Sequence, residues 1–345
     1  GDTTESLILD KNITHFNLYG SPHPLQLAKR LNQLQKIAER SRLGIPLTIS
    51  SDPIHEVPRG GGVAAFSLKG FSKWPSQLGF AATRQPEIIK EFAEIAREEY
   101  LSVGLRTALH PMSDLATEPR WSRNFGTFGS NADLSSDFTK AYMDGFQGNK
   151  INNNSVLTMV KHFPGGGPQE DGFDPHLYSG QNQVYPGNNF EYHLKPFKRA
   201  INNNLKVIMP YYGIPVDQTS ENVAMAYNKD ILTHLLRDKL GYEGVICTDW
   251  GIITGRHWGV GGLTLSERYK KSIDAGVDQY GGESSPEFLI DLVKKNEINE
   301  DRINYSVKRI LINKFELGLF DNPFVDESLV IKRVGKETFI KKGLI

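Results

Sequence analysis

A chain of 345 residues can bury one large core or two smaller ones, so length leaves the domain count to the pattern. The 40 basic and 40 acidic side chains cancel to a formal net charge of zero, which removes any general attraction to nucleic acid or anionic lipid and favours a neutral ligand. The single cysteine, Cys247, excludes an intrachain disulfide framework, and no apolar run reaches the ~18–20 residues that cross a bilayer.

In chain order, short apolar or β-branched runs alternate with longer amphipathic stretches. The runs are ITHFNLYG (13–20), IPLTISSD (45–52), LRTALHP (105–111), LTMVKHF (157–163), KVIMPYYG (206–213), GVICTDW (244–250) and GVDQY (276–280). Apolar on both faces, they read as buried parallel strands. Between them, Leu27, Leu31, Leu34 and Ile37 recur at helical spacing over 25–42, and Pro86 opens a helix burying Ile88, Ile89, Phe92 and Ile95. Ile231, Leu232, Leu235 and Leu236 form a stripe ended by Gly241, and Ser266 is expected to cap a helix closed by Gly276.

A repeated βα unit specifies an open doubly wound sheet or a closed (β/α)8 barrel. Polar or aromatic residues stand at the C-terminal ends of six runs: Asp52, His110, Lys161 with His162, Tyr212, Asp249, and Gln279 with Tyr280. A barrel gathers such ends at one mouth, whereas an open sheet joins only the strands at its switch point, so an α/β TIM-type barrel is expected. No GxGxxG or GxxxxGK[ST] follows a strand, and the glycines at 165–167 lack the Lys-Ser/Thr of a phosphate loop. The barrel is expected over 1–318, with 319–345 a connector toward a second domain absent from this chain.

Asp249, ending a buried strand beside Trp250, is either a nucleophile or charge stabiliser at an anomeric carbon, with the indole as a stacking floor, or the N-cap of the next helix. Lys161 and His162 can both bend over the barrel mouth as donors, unless one is a satisfied core residue. Asp52 offers a carboxylate for hydroxyls, and Arg123 a fork of donors or a surface salt bridge. Tyr212 can donate to the nucleophile or be satisfied by backbone. His162, Asp171, Asp174 and His176 have no fixed metal-ligand spacing, so neither a metal nor any other cofactor is expected.

The ordered series LGIPLTISSDPIHEV, WPSQLGFAATRQPE, EPRWSRNFG, VKHFPGGG, VIMPYYG, GVICTDWG and AGVDQYGG resembles glycoside hydrolase family 3, the retaining β-glucosidase and β-xylosidase group. The resemblance implies the family's N-terminal barrel, with Asp249 as the nucleophile of a covalent glycosyl-enzyme. It further implies that Asp52, Arg123, Lys161 and His162 hold sugar hydroxyls, that Tyr212 partners the nucleophile, and that Trp250 lies beside it. Two positions depart from the common pattern: Ser122 within PRWSR, and Gly251 where a glutamate often follows the DW pair.

An enzyme is therefore expected: an exo-acting β-glucosidase or β-xylosidase with a carbohydrate substrate and neither nucleic-acid nor membrane partners. Family members with two domains take their acid/base glutamate from the second, so a C-terminal domain or second chain is expected to complete the site. Single-domain N-acetylglucosaminidases of the family use an Asp-x-His pair in this loop, and Asp174 and His176 have that spacing. The alternatives are thus a β-N-acetylhexosaminidase using that dyad, or a sugar-binding barrel fragment without turnover. GDTTESLILD carries no signal-peptide hydrophobic segment, and the chain is expected to be soluble and secreted or periplasmic, any export signal having been removed.

Overall fold

The computed structural model describes residues 2–57 and 67–344. The chain divides into two compact units, one of Gly1–Pro111, Lys140–Met159 and Ile312–Ile345, the other of Met112–Thr139 and Val160–Leu311.

In the first unit, β1 (His15–Asn17), β2 (Thr48–Ser51), β3 (Thr107–Ala108) and the start of β4 (Leu157–Phe163) pair in parallel, with His15 opposite Thr48, Ser50 opposite Thr107, and Thr107 opposite Leu157. Parallel neighbours need crossovers, and helices Pro24–Glu39 and Pro86–Val103 supply two of them, each with proline in its first turn. Leu27, Leu31 and Leu34 are buried as the spacing predicts, with Ala38 taking the place expected for Ile37. Gly104, at φ 91°, ends the second helix.

Lys314 is almost wholly buried and donates to the carbonyls of Thr14 and Pro46 and to Thr48 Oγ1, tying the late part of the chain to the first strands. Burial pushes its amine well below the usual lysine range. The residues after Leu317 also fold onto this unit. Helix Glu327–Arg333 packs on both long helices, and Asn32 pairs with the backbone of Val325 through both amide atoms, at 2.9 and 3.0 Å.

In the second unit, the end of β4 continues the ladder, its Phe163 carbonyl accepting from the Tyr211 N–H at 3.0 Å. β5 (Asn182–Gln183) pairs in parallel with β7 (Ile214–Pro215), and β6 (Val207–Pro210) with β8 (Val245–Ile246). Every residue of β4 and β6 is buried, the two-sided burial expected of strands covered on both faces. Strands alternating with helices and pairing in parallel make the fold α/β.

Two local expectations are corrected. GVDQY forms no strand of its own: Gln279 alone bridges to Cys247, because Asp278 and Gln279 both donate their N–H groups to the Ile246 carbonyl. The helix expected to start at Ser266 is capped instead by Thr264, which accepts from the Glu267 N–H while the Glu267 carboxylate accepts from the Thr264 N–H at 2.8 Å. That reciprocal pair satisfies two end donors, which Ser266 alone cannot do.

Candidate active site

β8 runs on through Cys247 and Thr248 to Asp249. The Thr248 N–H donates to the Gln279 carbonyl, and its Oγ1 accepts from the Gly281 N–H, both at 2.9 Å, so the strand end is fixed. Asp249 is 9% exposed. Its Oδ1 accepts from the Trp250 N–H at 2.8 Å, while its buried Oδ2 has no hydrogen-bond partner and lies 3.7 Å from His162 Nε2. Burial alone would raise this carboxyl, but His162, His176, Lys161 and Arg123 outweigh it and hold the group below the usual carboxylate range. Residues 250–255 are turns and the next helix begins at Leu265, so there is no helix here for Asp249 to cap.

Trp250 lies against the Gly281–Gly282 backbone so closely that a Cβ on either glycine would stand 2.6 or 2.7 Å from the indole. Its carbonyl accepts from the Tyr212 hydroxyl at 2.7 Å and from Arg256 Nη1 at 3.1 Å. Tyr212 thus gives its proton to backbone beside the nucleophile. Burial, and then the Asp249 charge, push its phenol far up.

At the end of β4, Lys161 and His162 are both buried. His162 Nδ1 lies 2.8 Å from Asp114 Oδ2, and the ring packs on Tyr211 with centroids 4.2 Å apart. Arg123 is turned inward rather than to solvent, donating to the Tyr211 hydroxyl at 3.0 Å and lying 3.5 Å from His162 Nε2. Burial opposes its charge, but Tyr211, Asp174, Asp249 and Asp114 hold the guanidinium firmly protonated.

The loop after β4 brings in the second pair. Asp174 Oδ1 receives the His176 N–H at 3.0 Å and lies 2.5 Å from His176 Nδ1. Its Oδ2 accepts from Trp121 Nε1 at 2.8 Å and from the Tyr211 hydroxyl at 3.0 Å. Burial opposes ionisation, but His176 and Arg123 drive this carboxyl well below the ordinary range. The His176 ring meets Tyr212 edge-on with centroids 4.8 Å apart.

Arg123, Lys161, His162, Asp174, His176, Tyr212, Asp249 and Trp250 all belong to the second unit. Asp52 belongs to the first, where it follows β2, lies 3.5 Å from Asn17 Nδ2, and offers its carbonyl to the Tyr100 hydroxyl at 3.3 Å. Asp114, Tyr211 and Trp121 were not legible as site residues. For Tyr211 the signal lies in the PYYG pair, where it directly precedes Tyr212. Among the described residues no three His, Cys, Asp or Glu side chains gather as a metal would require.

The family model for the glycosyl hydrolase family 3 N terminal domain matches residues 2–312. The chain belongs to glycosyl hydrolase family 3. It is 49% identical to beta-glucosidase C of Emericella nidulans, over 99% of this chain and 57% of that protein. It is 38% identical to a periplasmic beta-glucosidase/beta-xylosidase of Dickeya chrysanthemi, over 97% of this chain and 55% of that one. A solved β-glucosidase involved in saponin metabolism from intestinal bacteria superposes with a TM-score of 0.81 at 27% identity, covering 100% of this chain and 43% of that one. This family 3 chain therefore spans little more than half the length of the curated relatives it matches.

Proposed function

We propose that this family 3 chain supplies the (β/α)8 barrel of a retaining exo-β-glycosidase, a β-glucosidase or β-xylosidase that removes non-reducing terminal sugars. The observation that carries this reading is Asp249 Oδ2: buried, without a hydrogen-bond partner, and ionised in the field of Lys161 and Arg123. An oxygen in that state has a lone pair directed at no protein donor, as an attacking carboxylate requires.

Asp249 Oδ2 attacks the anomeric carbon as the bond to the leaving oxygen breaks, giving a glycosyl ester. The acid/base group protonates that oxygen, then takes a proton from the water that hydrolyses the ester, restoring the carboxylate. Asp52, Arg123, Lys161 and His162 hold the sugar hydroxyls, Trp250 provides a flat apolar wall, and Tyr212 fixes the turn that aims Asp249. In this reading the acid/base is a carboxyl of a following domain. In this reading residues 1–318 are the barrel and 319–345, although packed on the first unit, lead on toward a following domain, for which relatives nearly twice as long are the support. Secreted or periplasmic residence rests on the periplasmic relative; no helix among the described residues is long and apolar enough to cross a membrane.

One observation favours a second reading. Asp174 and His176 form a close dyad, and His176 acts on the charge of Asp249. With Nδ1 held by Asp174, Nε2 is free to carry the catalytic proton, as a β-N-acetylhexosaminidase of this family would use it.

The test compares aryl β-glucoside, β-xyloside and β-N-acetylglucosaminide on the full-length protein and on this chain. The first reading predicts turnover of glucoside or xyloside by the full-length protein, weak activity of the 345-residue chain, and loss of turnover in Asp249→Ala. Retained turnover in Asp249→Ala contradicts both readings. Full activity of the short chain on the N-acetyl sugar supports the second, and sugar binding without turnover by either protein leaves only a binding barrel.

A further inference from the structure

Asp114 was not singled out by any sequence pattern, yet it is fully buried and both of its oxygens are engaged. Its two oxygens receive the backbone N–H of His162 at 3.2 and 3.3 Å and the N–H of Gly166. Oδ2 also lies 2.8 Å from His162 Nδ1. Burial opposes ionisation here, but the His162 interaction, the Gly166 N–H and Arg123 outweigh it and keep the carboxyl below its usual range. An ionised carboxylate only accepts, so every partner must donate, Nδ1 of His162 included.

The other face of the imidazole sets the proton count. Nε2 lies 3.5 Å from Arg123 Nη1, which can only donate, and 3.7 Å from Asp249 Oδ2. Burial works against a charged ring, Asp114 pulls toward protonation, Arg123 pushes against it and Asp249 pulls weakly; the balance lies below the ordinary histidine value. A neutral imidazole carries one proton, and Asp114 claims it at Nδ1.

We propose that Asp114 is a positioning residue that locks His162 in the Nδ1–H tautomer, so that unprotonated Nε2 is an acceptor, taken by the Arg123 N–H in the free chain and by a substrate hydroxyl that displaces it on binding. This rests on the glycosidase reading for its substrate, but not for its tautomer. It also changes the division of labour at the end of β4. Lys161 can only donate, whereas His162 accepts, so the pair reads a hydroxyl oxygen at one place and a hydroxyl proton at another.

Asp114→Asn is nearly isosteric, but its single amide oxygen must serve the Gly166 and His162 N–H groups, which leaves Nδ2 facing the imidazole. That amide donates, so the ring is expected to move its proton to Nε2. The experiment uses full-length protein with 15N-histidine, the His162 signals being assigned by their absence in His162→Gln. Long-range 15N–1H correlations at neutral pH report the tautomer, and kcat and KM for an aryl β-glucoside are measured on the same samples.

The expected result is Nδ1–H with bare Nε2 in the wild type and Nε2–H in Asp114→Asn. In that variant kcat/KM falls by ~10–100-fold, the range for loss of an orienting partner. Asp114→Glu, which keeps an acceptor, should retain the wild-type tautomer. A wild-type ring protonated at Nε2 overturns the proposal whether or not the variant folds. So does an Asp114→Asn protein with an unchanged tautomer and kcat/KM within ~3-fold of wild type, well short of an orienting partner's loss. If the wild type shows the expected tautomer but hydrolyses no glycoside, the glycosidase reading fails and the tautomer lock stands.

Discussion

An alanine Cβ at position 167 would lie 1.6 Å from the carbonyl oxygen of Leu115 and 2.7 Å from its carbon. Ordinary contact between such atoms lies near ~3.5 Å, so the two backbones would have to part by roughly 2 Å. Leu115 is fully buried, and a backbone carbonyl cannot swing aside as a side chain can. Overpacking commonly costs ~1–3 kcal/mol, and with backbone as the obstacle we expect Gly167→Ala to lose at least ~3 kcal/mol. By the scaling for large domains, the melting temperature should drop by at least ~6 °C.

Gly166→Ala is the internal control. Its Cβ would stand 2.8 Å from Asp114 Oδ1 and from the Tyr211 ring, both side chains. The stability cost should be about half as large, ~1–2 kcal/mol, while the displacement falls on the groups that hold His162 and Arg123, so kcat/KM should suffer more than stability. Urea unfolding followed by circular dichroism gives the stabilities, provided the slope is unchanged between variants. A Gly167→Ala protein within ~1 kcal/mol of wild type would refute the packing argument, as would a larger stability loss in Gly166→Ala.

His193 is fully buried with its pKa lowered to about 4 by burial, against a weaker upward pull from Asp114. The unfolded chain therefore binds a proton that the folded one refuses, and stability falls as pH drops from about 6.5 toward 4. The loss at pH 4 relative to neutral is about 3 kcal/mol, and His193→Gln should remove that component, which unfolding midpoints at the two pH values will show. Lys314→Met strips the ammonium that donates to the Thr14 and Pro46 carbonyls, and should cost ~2–4 kcal/mol in urea unfolding. Asp174→Asn separates the two acid/base readings. With the acid on a following domain, turnover should fall less than ~10-fold, whereas a fall beyond ~1,000-fold that deepens for poor leaving groups would place the proton on His176.

The strand-ending residues were legible because each stands where a buried apolar run meets a turn, and a parallel α/β fold puts its chemistry there. The choice between roles was not. Asp249 in isolation is equally a cap, and only the absence of a helix before Leu265 removes that role. Arg123 in isolation is equally a surface ion pair, and its inward turn depends on Tyr211, 88 positions away. Asp114 lay hidden because nothing periodic marks HPMSD. Its importance arises from the close approach of the loop at Gly166 and Gly167, which requires two glycines for space, whereas Gly165, at φ 132°, requires the third for backbone conformation. GVDQY has the buried Val277 of a strand but no ladder, because Asp278 and Gln279 both donate their N–H groups to the one Ile246 carbonyl, a backbone detail that an apolar pattern does not encode.

That Asp249 Oδ2 forms the covalent bond to the sugar is tested most directly by trapping. The full-length protein is incubated with an activated 2-deoxy-2-fluoro-β-glucoside, digested, and its peptides sequenced by mass spectrometry. One fluoroglucosyl group per chain on the peptide GVICTDWG, at Asp249, is the predicted result. A label on any other residue, or an unlabelled protein that keeps turning over an aryl β-glucoside by a retaining route, would contradict it.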